Sequence, residues 1–141
     1  MTDYEASPHD WVADHVERYE RTDGREGGEF NGVPCVILTT TGRRSGKTRK
    51  TPLVRVPHGD GYLVVASMGG QPKHPVWYLN LAAHPDVMLQ DGADRRAYRA
   101  RVVEGTERDE LWAVAVAAYG DYADYQERCD RDIPVVALDP V

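Results

Sequence analysis

Only two cysteines, Cys35 and Cys129, occur in the 141 residues, and neither belongs to a C-x-x-C pair or a metal-ligand cluster. That pattern argues against a thiolate zinc site, and two buried or idle thiols are a simpler reading than a disulfide or a reactive role. The five histidines, His9, His15, His58, His74 and His84, show no H-x-x-x-H or H-E-x-x-H spacing, so no metal site is expected. No apolar run approaches the roughly 20 residues that span a bilayer. The acidic start Met1-Thr2-Asp3-Tyr4-Glu5 has no apolar stretch of the kind a secretory signal needs, which makes a cytoplasmic location the expectation. Broad positive charge is missing as well. A formal net charge of −6 argues against a nucleic-acid partner, whose affinity comes from an excess of cations over a wide face.

Positive charge is present in one place. Arg43, Arg44, Lys47, Arg49 and Lys50 put five cations into eight positions, preceded by Thr39, Thr40 and Thr41, relaxed by Gly42 and Gly46 and closed by Pro52. A turn of this composition presents side-chain cations and backbone N–H groups together, the arrangement of an anion clamp on a β-hairpin. A P-loop does not fit, because Gly42 stands one residue too close to Gly46-Lys47-Thr48 and Pro52 prevents the long helix that must follow. A solvated hairpin tip explains the run equally well when it is taken alone.

The chain length suffices for one core and not two, so 1–141 reads as one domain, with an N-terminal helix and linker over 1–32 and a core over 33–141. Ser7 and Pro8 suit the start of a helix whose Trp11, His15, Val16 and Tyr19 recur at helical spacing to about Arg21. Its acid-rich polar face has the wrong sign for an anionic lipid surface, so any peripheral membrane association would be weak. The glycine-rich stretch 22–32 reads as a mobile connection. Strands are expected over 34–40, 50–56 and 62–68, with His58-Gly59-Asp60-Gly61 as a tight turn. A short helix follows from Pro75 to Ala83, then strands over 86–90 and 96–104. Thr106-Glu107-Arg108-Asp109 is the expected cap of a helix carrying Leu111, Trp112, Ala115 and Val116. Gly120 breaks that helix, 121–129 continues as a helical turn or two, and 133–138 is a last strand. About six mostly antiparallel strands flanked by helices define an antiparallel barrel of the α+β class.

Two further stretches favour the clamp. The segment 66–75, including Ser67, Gly69-Gly70 and Lys73, leaves a strand through paired glycines and enters a helix N-terminus, an arrangement that favours anions. Tyr119, Tyr122 and Tyr125 recur every three residues among Asp121, Ala123 and Asp124, small or charged neighbours that provide little drive for burial. Half-exposed phenols in a row suit the wall of a cleft holding a flat ring.

Taken with the motifs Thr40-Thr41-Gly42-Arg43-Arg44-Ser45-Gly46-Lys47-x-Arg49-x-Thr51-Pro52-Leu53, Ser67-x-Gly69-Gly70-x-x-Lys73-x-Pro75-x-Trp77-Tyr78-x-Asn80-Leu81, Tyr122-x-x-Tyr125-Gln126 and Arg131-x-Ile133-Pro134-Val135, the chain resembles the deazaflavin-dependent nitroreductase family from about Val36 to Pro140. These actinobacterial reductases use reduced coenzyme F420, an 8-hydroxy-5-deazaflavin, on quinones and nitroaromatics. The resemblance implies a split β-barrel related to flavin-mononucleotide-binding barrels. It implies that Arg43, Arg44, Ser45 and the strand Arg49, Lys50, Thr51, Pro52 and Leu53 hold the phosphate-bearing tail. It also implies that Val65, Ala66, Ser67 and Met68, with Val76, Trp77, Tyr78, Leu79 and Asn80, line the ring. Tyr119, Tyr122 and Tyr125 match substrate-side tyrosines, with Tyr122 touching both ring and substrate.

The absence of a nucleophile–base pair agrees with chemistry that a cofactor brings. Val54 stands where a tyrosine can line the pocket, and Met68 where a lysine can add charge, which favours quinone-type acceptors over nitroimidazoles. Two rivals remain at this level: a flavin-mononucleotide enzyme on the same barrel, and a carrier that binds the deazaflavin without catalysis. The oligomeric state is left open.

Overall fold

The computed structural model describes residues 10–141, and the helix start expected at Ser7-Pro8 lies outside them. Helix α1 (Asp10–Thr22) is followed by β1 (Glu29–Phe30), β2 (Val33–Thr41), β3 (Thr48–Val54), β4 (Val56–His58) and β5 (Gly61–Val65). A 3-10 turn (Met68–Gly70) leads to α2 (Val76–Ala83), β6 (Asp86–Asp91), β7 (Asp94–Val102), α3 (Gly105–Ala118), α4 (Asp121–Glu127) and β8 (Val135–Pro140). The strands form one curled antiparallel sheet in the order β1-β2-β6-β7-β8-β5-β4, with β3 also paired to β2.

Eight strands replace the expected six. The stretch 22–32 contains β1, whose partner is β2 across the two-residue turn Asn31-Gly32, both at positive φ. This is the asparagine–glycine hairpin geometry that right-twisted strands favour. The expected strand 50–56 divides at Arg55, because β3 pairs with β2 while β4 turns away to pair with β5. The strand ending at Met68 stops at Val65, since Met68, Gly69 and Gly70 all take positive φ. Helix α3 opens at Gly105, and Glu104 before it makes no side-chain capping bond, so the cap expected around Thr106 is displaced.

Strand periodicity accounts for the core. Residues alternate faces along a strand, so the continuous apolar runs mark a sheet covered on both sides. Leu63, Val65, Val135 and Ala137 face α3 and α4 with Leu111, Ala115, Tyr119 and Tyr122. Val64, Val136 and Leu138 face the other way, with Leu81 of α2 and Val36 and Leu38 of β2. Helix α1 buries Val12, Val16 and Tyr19 on Cys35 and Ile37. Trp11, expected on that buried stripe, is instead 62% exposed. Among the described residues no helix is long and apolar enough to cross a membrane.

Candidate functional site

The basic run does form the tip of a β-hairpin. Thr41 pairs with Thr48, and loop 42–47 is closed by Gly42 N–H to the Lys47 carbonyl (2.7 Å) and Gly46 N–H to the Gly42 carbonyl (2.9 Å). The side chains of Arg43, Arg44 and Lys47 are exposed and enter no ion pair among the described residues. Lys50 differs, because its ammonium lies 2.6 Å from Glu20 of α1. Lys50 is therefore already neutralised by a helix packed on β3.

Buried Asn80 of α2 ties this loop to the body of the protein. Its Oδ1 accepts from the Arg43 N–H at 3.1 Å and its amide donates to Thr40 Oγ1 at 3.3 Å. Asn80 also lines a cavity of about 460 Å³, within the range of small-molecule and cofactor sites. One wall of that cavity is β3, from Arg49 to Val54, with Thr40 beside it. Val65, Ser67, Met68 and Gly69 form a second side, and Pro75, Val76 and Trp77 a third. Tyr119, Tyr122 and Tyr125 complete the lining. Arg43, Arg44, Ser45, Lys47, Ala66, Lys73, Tyr78 and Leu79 are outside the lining: the first four stand on the hairpin tip, and Ala66 is fully buried.

The tyrosines correct one expectation. Tyr119 and Tyr122 are buried, 5% and 4% exposed, because α4 folds back on α3 and the rings pack edge to face at 4.9 Å. Short polar spacers did not prevent burial, since tertiary packing supplied the apolar neighbours that the local sequence lacks. Burial and the hydrogen bond with Tyr125 push the Tyr119 phenol up to about 12. Burial drives Tyr122 further in the same direction. Both are therefore neutral O–H groups at physiological pH. The Tyr122 hydroxyl makes no hydrogen bond among the described residues, and none of their buried side-chain oxygens is left unpartnered, so this hydroxyl opens onto the cavity.

Sequence reasoning missed several contributors. Trp11, Val12 and Phe30 reach the cavity from α1 and β1, parts of the chain with only weak local signals. Arg131 was legible as part of a motif, but its role was not. Its guanidinium donates to the carbonyls of Ser67 (2.9 Å), Gln71 (3.0 Å) and Ala66 (3.1 Å) and lies 3.2 Å from His74 Nδ1. It thereby fixes the segment that carries Met68 and Gly69. Burial, assisted by the Arg131 charge, lowers the His74 pKa below its ordinary value. Cys35, raised to about 11 chiefly by burial, is held as a neutral thiol.

A curled antiparallel half-barrel with an apolar slot beside a cationic hairpin tip places the chain among the split β-barrels. A family model described as "F420H(2)-dependent quinone reductase" matches residues 11–140, and the chain belongs to that family. It is similar to an F420H(2)-dependent quinone reductase of Mycobacterium tuberculosis, with 40% identity over 128 residues that cover 88% of this chain and 86% of the relative. Among solved structures it resembles an F420-H2 dependent reductase, FDR-A, at 50% identity and TM-score 0.71, covering 75% of this chain and 94% of that one. A second, described as a domain-swapped dimer, has 46% identity and TM-score 0.72, with 94% and 100% covered. Coenzyme F420 in its reduced form is the cofactor that the family name specifies.

Proposed function

We propose that the protein holds reduced coenzyme F420 in the cavity between β3 and α4 and uses it to reduce quinone-type acceptors. The observation that carries this reading is the pairing of an apolar, tyrosine-walled slot with exposed cations, joined through Asn80. The residues present fit such a group. A flat heterocycle is matched by Pro52, Val54, Val65, Trp77 and the tyrosine rings, and an anionic tail by Arg43, Arg44 and Lys47, with Ser45 and the β3 residues Arg49 to Leu53 alongside. When bound, the reduced deazaflavin supplies a hydride, and the protein supplies orientation, exclusion of water and protons. The buried tyrosines keep their protons and offer O–H donors to an acceptor oxygen that gains negative charge. Trp11, Met68 and Val76, 62%, 51% and 60% exposed, give the mouth an apolar rim that suits a hydrophobic acceptor. Nitroaromatics are a secondary acceptor class in this reading, because Val54 adds no polar group to the slot.

Fluorescence titration with the reduced coenzyme, followed by steady-state oxidation with menadione and a nitroaromatic in parallel, tests the reading. Turnover with menadione supports it. Binding without turnover would make the protein a carrier, and purification with bound yellow flavin would make it a flavin enzyme. Reversing both Arg43 and Arg44 to Glu should raise the Kd about tenfold or more, since a charge-assisted phosphate contact contributes roughly 1.5–3 kcal/mol. An unchanged Kd would remove the hairpin tip from the site.

A further inference from the structure

Asn31 stands far from the tyrosines in sequence and was assigned no role by the motifs, yet its amide nitrogen lies 3.0 Å from the Tyr119 hydroxyl. That hydroxyl in turn lies 3.0 Å from the hydroxyl of Tyr125. We propose that Asn31 is a positioning residue that fixes the direction of a hydroxyl chain, Tyr119 to Tyr125, through which the acceptor receives its proton. The inference rests on the reductase reading above and adds a proton path to it.

Donor counting limits the direction. A phenol has one hydrogen to give and lone pairs to accept with, whereas an amide nitrogen can only donate. Asn31 donates to the Tyr119 oxygen, so the Tyr119 hydrogen must point elsewhere. The Tyr125 oxygen, 3.0 Å away, takes it in the proposed chain. The Asp121 carboxylate, whose side-chain hydrogen bond also pushes the Tyr119 phenol up, competes with Tyr125 for that hydrogen, and the Asp121→Asn variant below separates the two routes. With its own oxygen occupied as acceptor, Tyr125 is left with a hydrogen that no protein group takes, and its ring lines the cavity. In the proposed chain this proton is the one offered to the acceptor. Successive hydroxyls polarise one another, which strengthens the terminal donor.

The placement of Asn31 suits this task. It occupies the first position of the β1–β2 turn at φ 50, a conformation that only glycine, asparagine and aspartate adopt readily. The turn is held by the pairing of Phe30 with Val33, and Phe30 itself lines the cavity. The amide is thus presented from a rigid hairpin.

The step balances. A quinone becomes a quinol by gaining one hydride and one proton. The hydride comes from the bound coenzyme, the Tyr125 O–H bond breaks as the acceptor O–H bond forms, the Tyr119 proton moves to Tyr125, and a solvent proton restores Tyr119.

Asn31→Asp and Asn31→Gly provide the test, since both residues keep the turn. The aspartate can only accept, so it reverses the chain and draws the Tyr119 hydrogen away from Tyr125. We expect about a tenfold fall in kcat with menadione, an unchanged Kd for the reduced coenzyme and a larger solvent isotope effect as proton delivery becomes limiting. Removing the donor in Asn31→Gly should also move the ionisation of a tyrosine to higher pH in an ultraviolet titration of the protein without coenzyme. Unchanged kcat and isotope effect in Asn31→Asp, or tyrosine ionisation that stays put or moves down in Asn31→Gly, would overturn the proposal. So would a collapse of turnover in Asp121→Asn with none in Asn31→Asp, which would place the proton's path on the carboxylate. A parent protein that binds reduced coenzyme without oxidising it would overturn the reductase reading itself, and the relay with it.

Discussion

At the scale of single residues, the site depends on groups whose polar atoms are consumed by the backbone. Asn80 is 2% exposed and occupied on both sides of its amide, by the Arg43 N–H and by Thr40 Oγ1. Asn80→Ala removes both partners and leaves the Arg43 N–H to find water or go unpaired. A buried donor without its acceptor costs about 1–3 kcal/mol, so the melting temperature should fall by several degrees and coenzyme affinity with it, as the hairpin tip loosens. Arg131 acts in the same way on the opposite side, where its three carbonyl contacts hold the Ala66–Gln71 backbone. Arg131→Ala should raise the KM for the acceptor by several-fold or more and increase hydrogen exchange at Met68 and Gly69. If exchange there stays as slow as in the parent, the guanidinium is not what orders the turn.

At the scale of elements, the two faces of the cavity are fastened together at Gly70. Its φ is +81, and a Cβ built there would meet the Tyr125 carbonyl oxygen at 2.7 Å, so the 3-10 turn sits directly against the backbone of α4. Gly46, at φ +71 in the hairpin tip, has open space around it. Replacing each with alanine separates strain from collision. Gly46→Ala should cost roughly 1–2 kcal/mol, the penalty of a left-handed side chain. Gly70→Ala adds an overpacking term of about 1–3 kcal/mol and moves the 3-10 turn away from Tyr125. Chemical denaturation should rank Gly70→Ala below Gly46→Ala, and equal midpoints would show that the turn gives way without strain.

Elements of this kind also mark the limit of what the sequence made legible. The basic hairpin, the His58–Gly61 turn, α2 and α3 carry local signals: paired turn residues, a helix-start proline, apolar positions at helical spacing. By contrast, the division at Arg55 and the burial of Tyr119 and Tyr122 depend on partners distant in the chain. No local pattern encodes them. Asn31 and Trp11 stand in elements that composition alone describes as a connection or a packing helix.

At the scale of the whole molecule, the protein carries several phenols that folding keeps protonated. Tyr62 and Tyr119 are pushed up to about 12, first by burial and then by hydrogen bonds to Asp91 and Tyr125, respectively. Burial also raises Tyr19 and Tyr122. In the unfolded chain each returns to its ordinary value of 10.0. Between the two values the folded state binds more protons than the unfolded one, so stability falls as pH rises. The stabilisation is fully present below the unfolded value and is lost progressively from about pH 10 upward. His74 works in the opposite sense at the acid end. Its folded pKa lies below 6.5, so stability is lost as pH falls through that value and the ring must charge beside Arg131. Urea midpoints measured across the alkaline range should therefore drop steeply above about pH 10, and Tyr62→Phe should flatten part of that drop by removing one titrating group while keeping its ring against Tyr98. The substitution also frees the Asp91 carboxylate from the Tyr62 hydroxyl, and Arg55 remains at 2.8 Å to hold it. A Tyr62→Phe variant with the parent's alkaline slope would mean that this phenol ionises alike in both states, and the other groups that burial raises, Tyr19, Tyr98, Tyr119, Tyr122 and the Cys35 thiol, would then account for the effect.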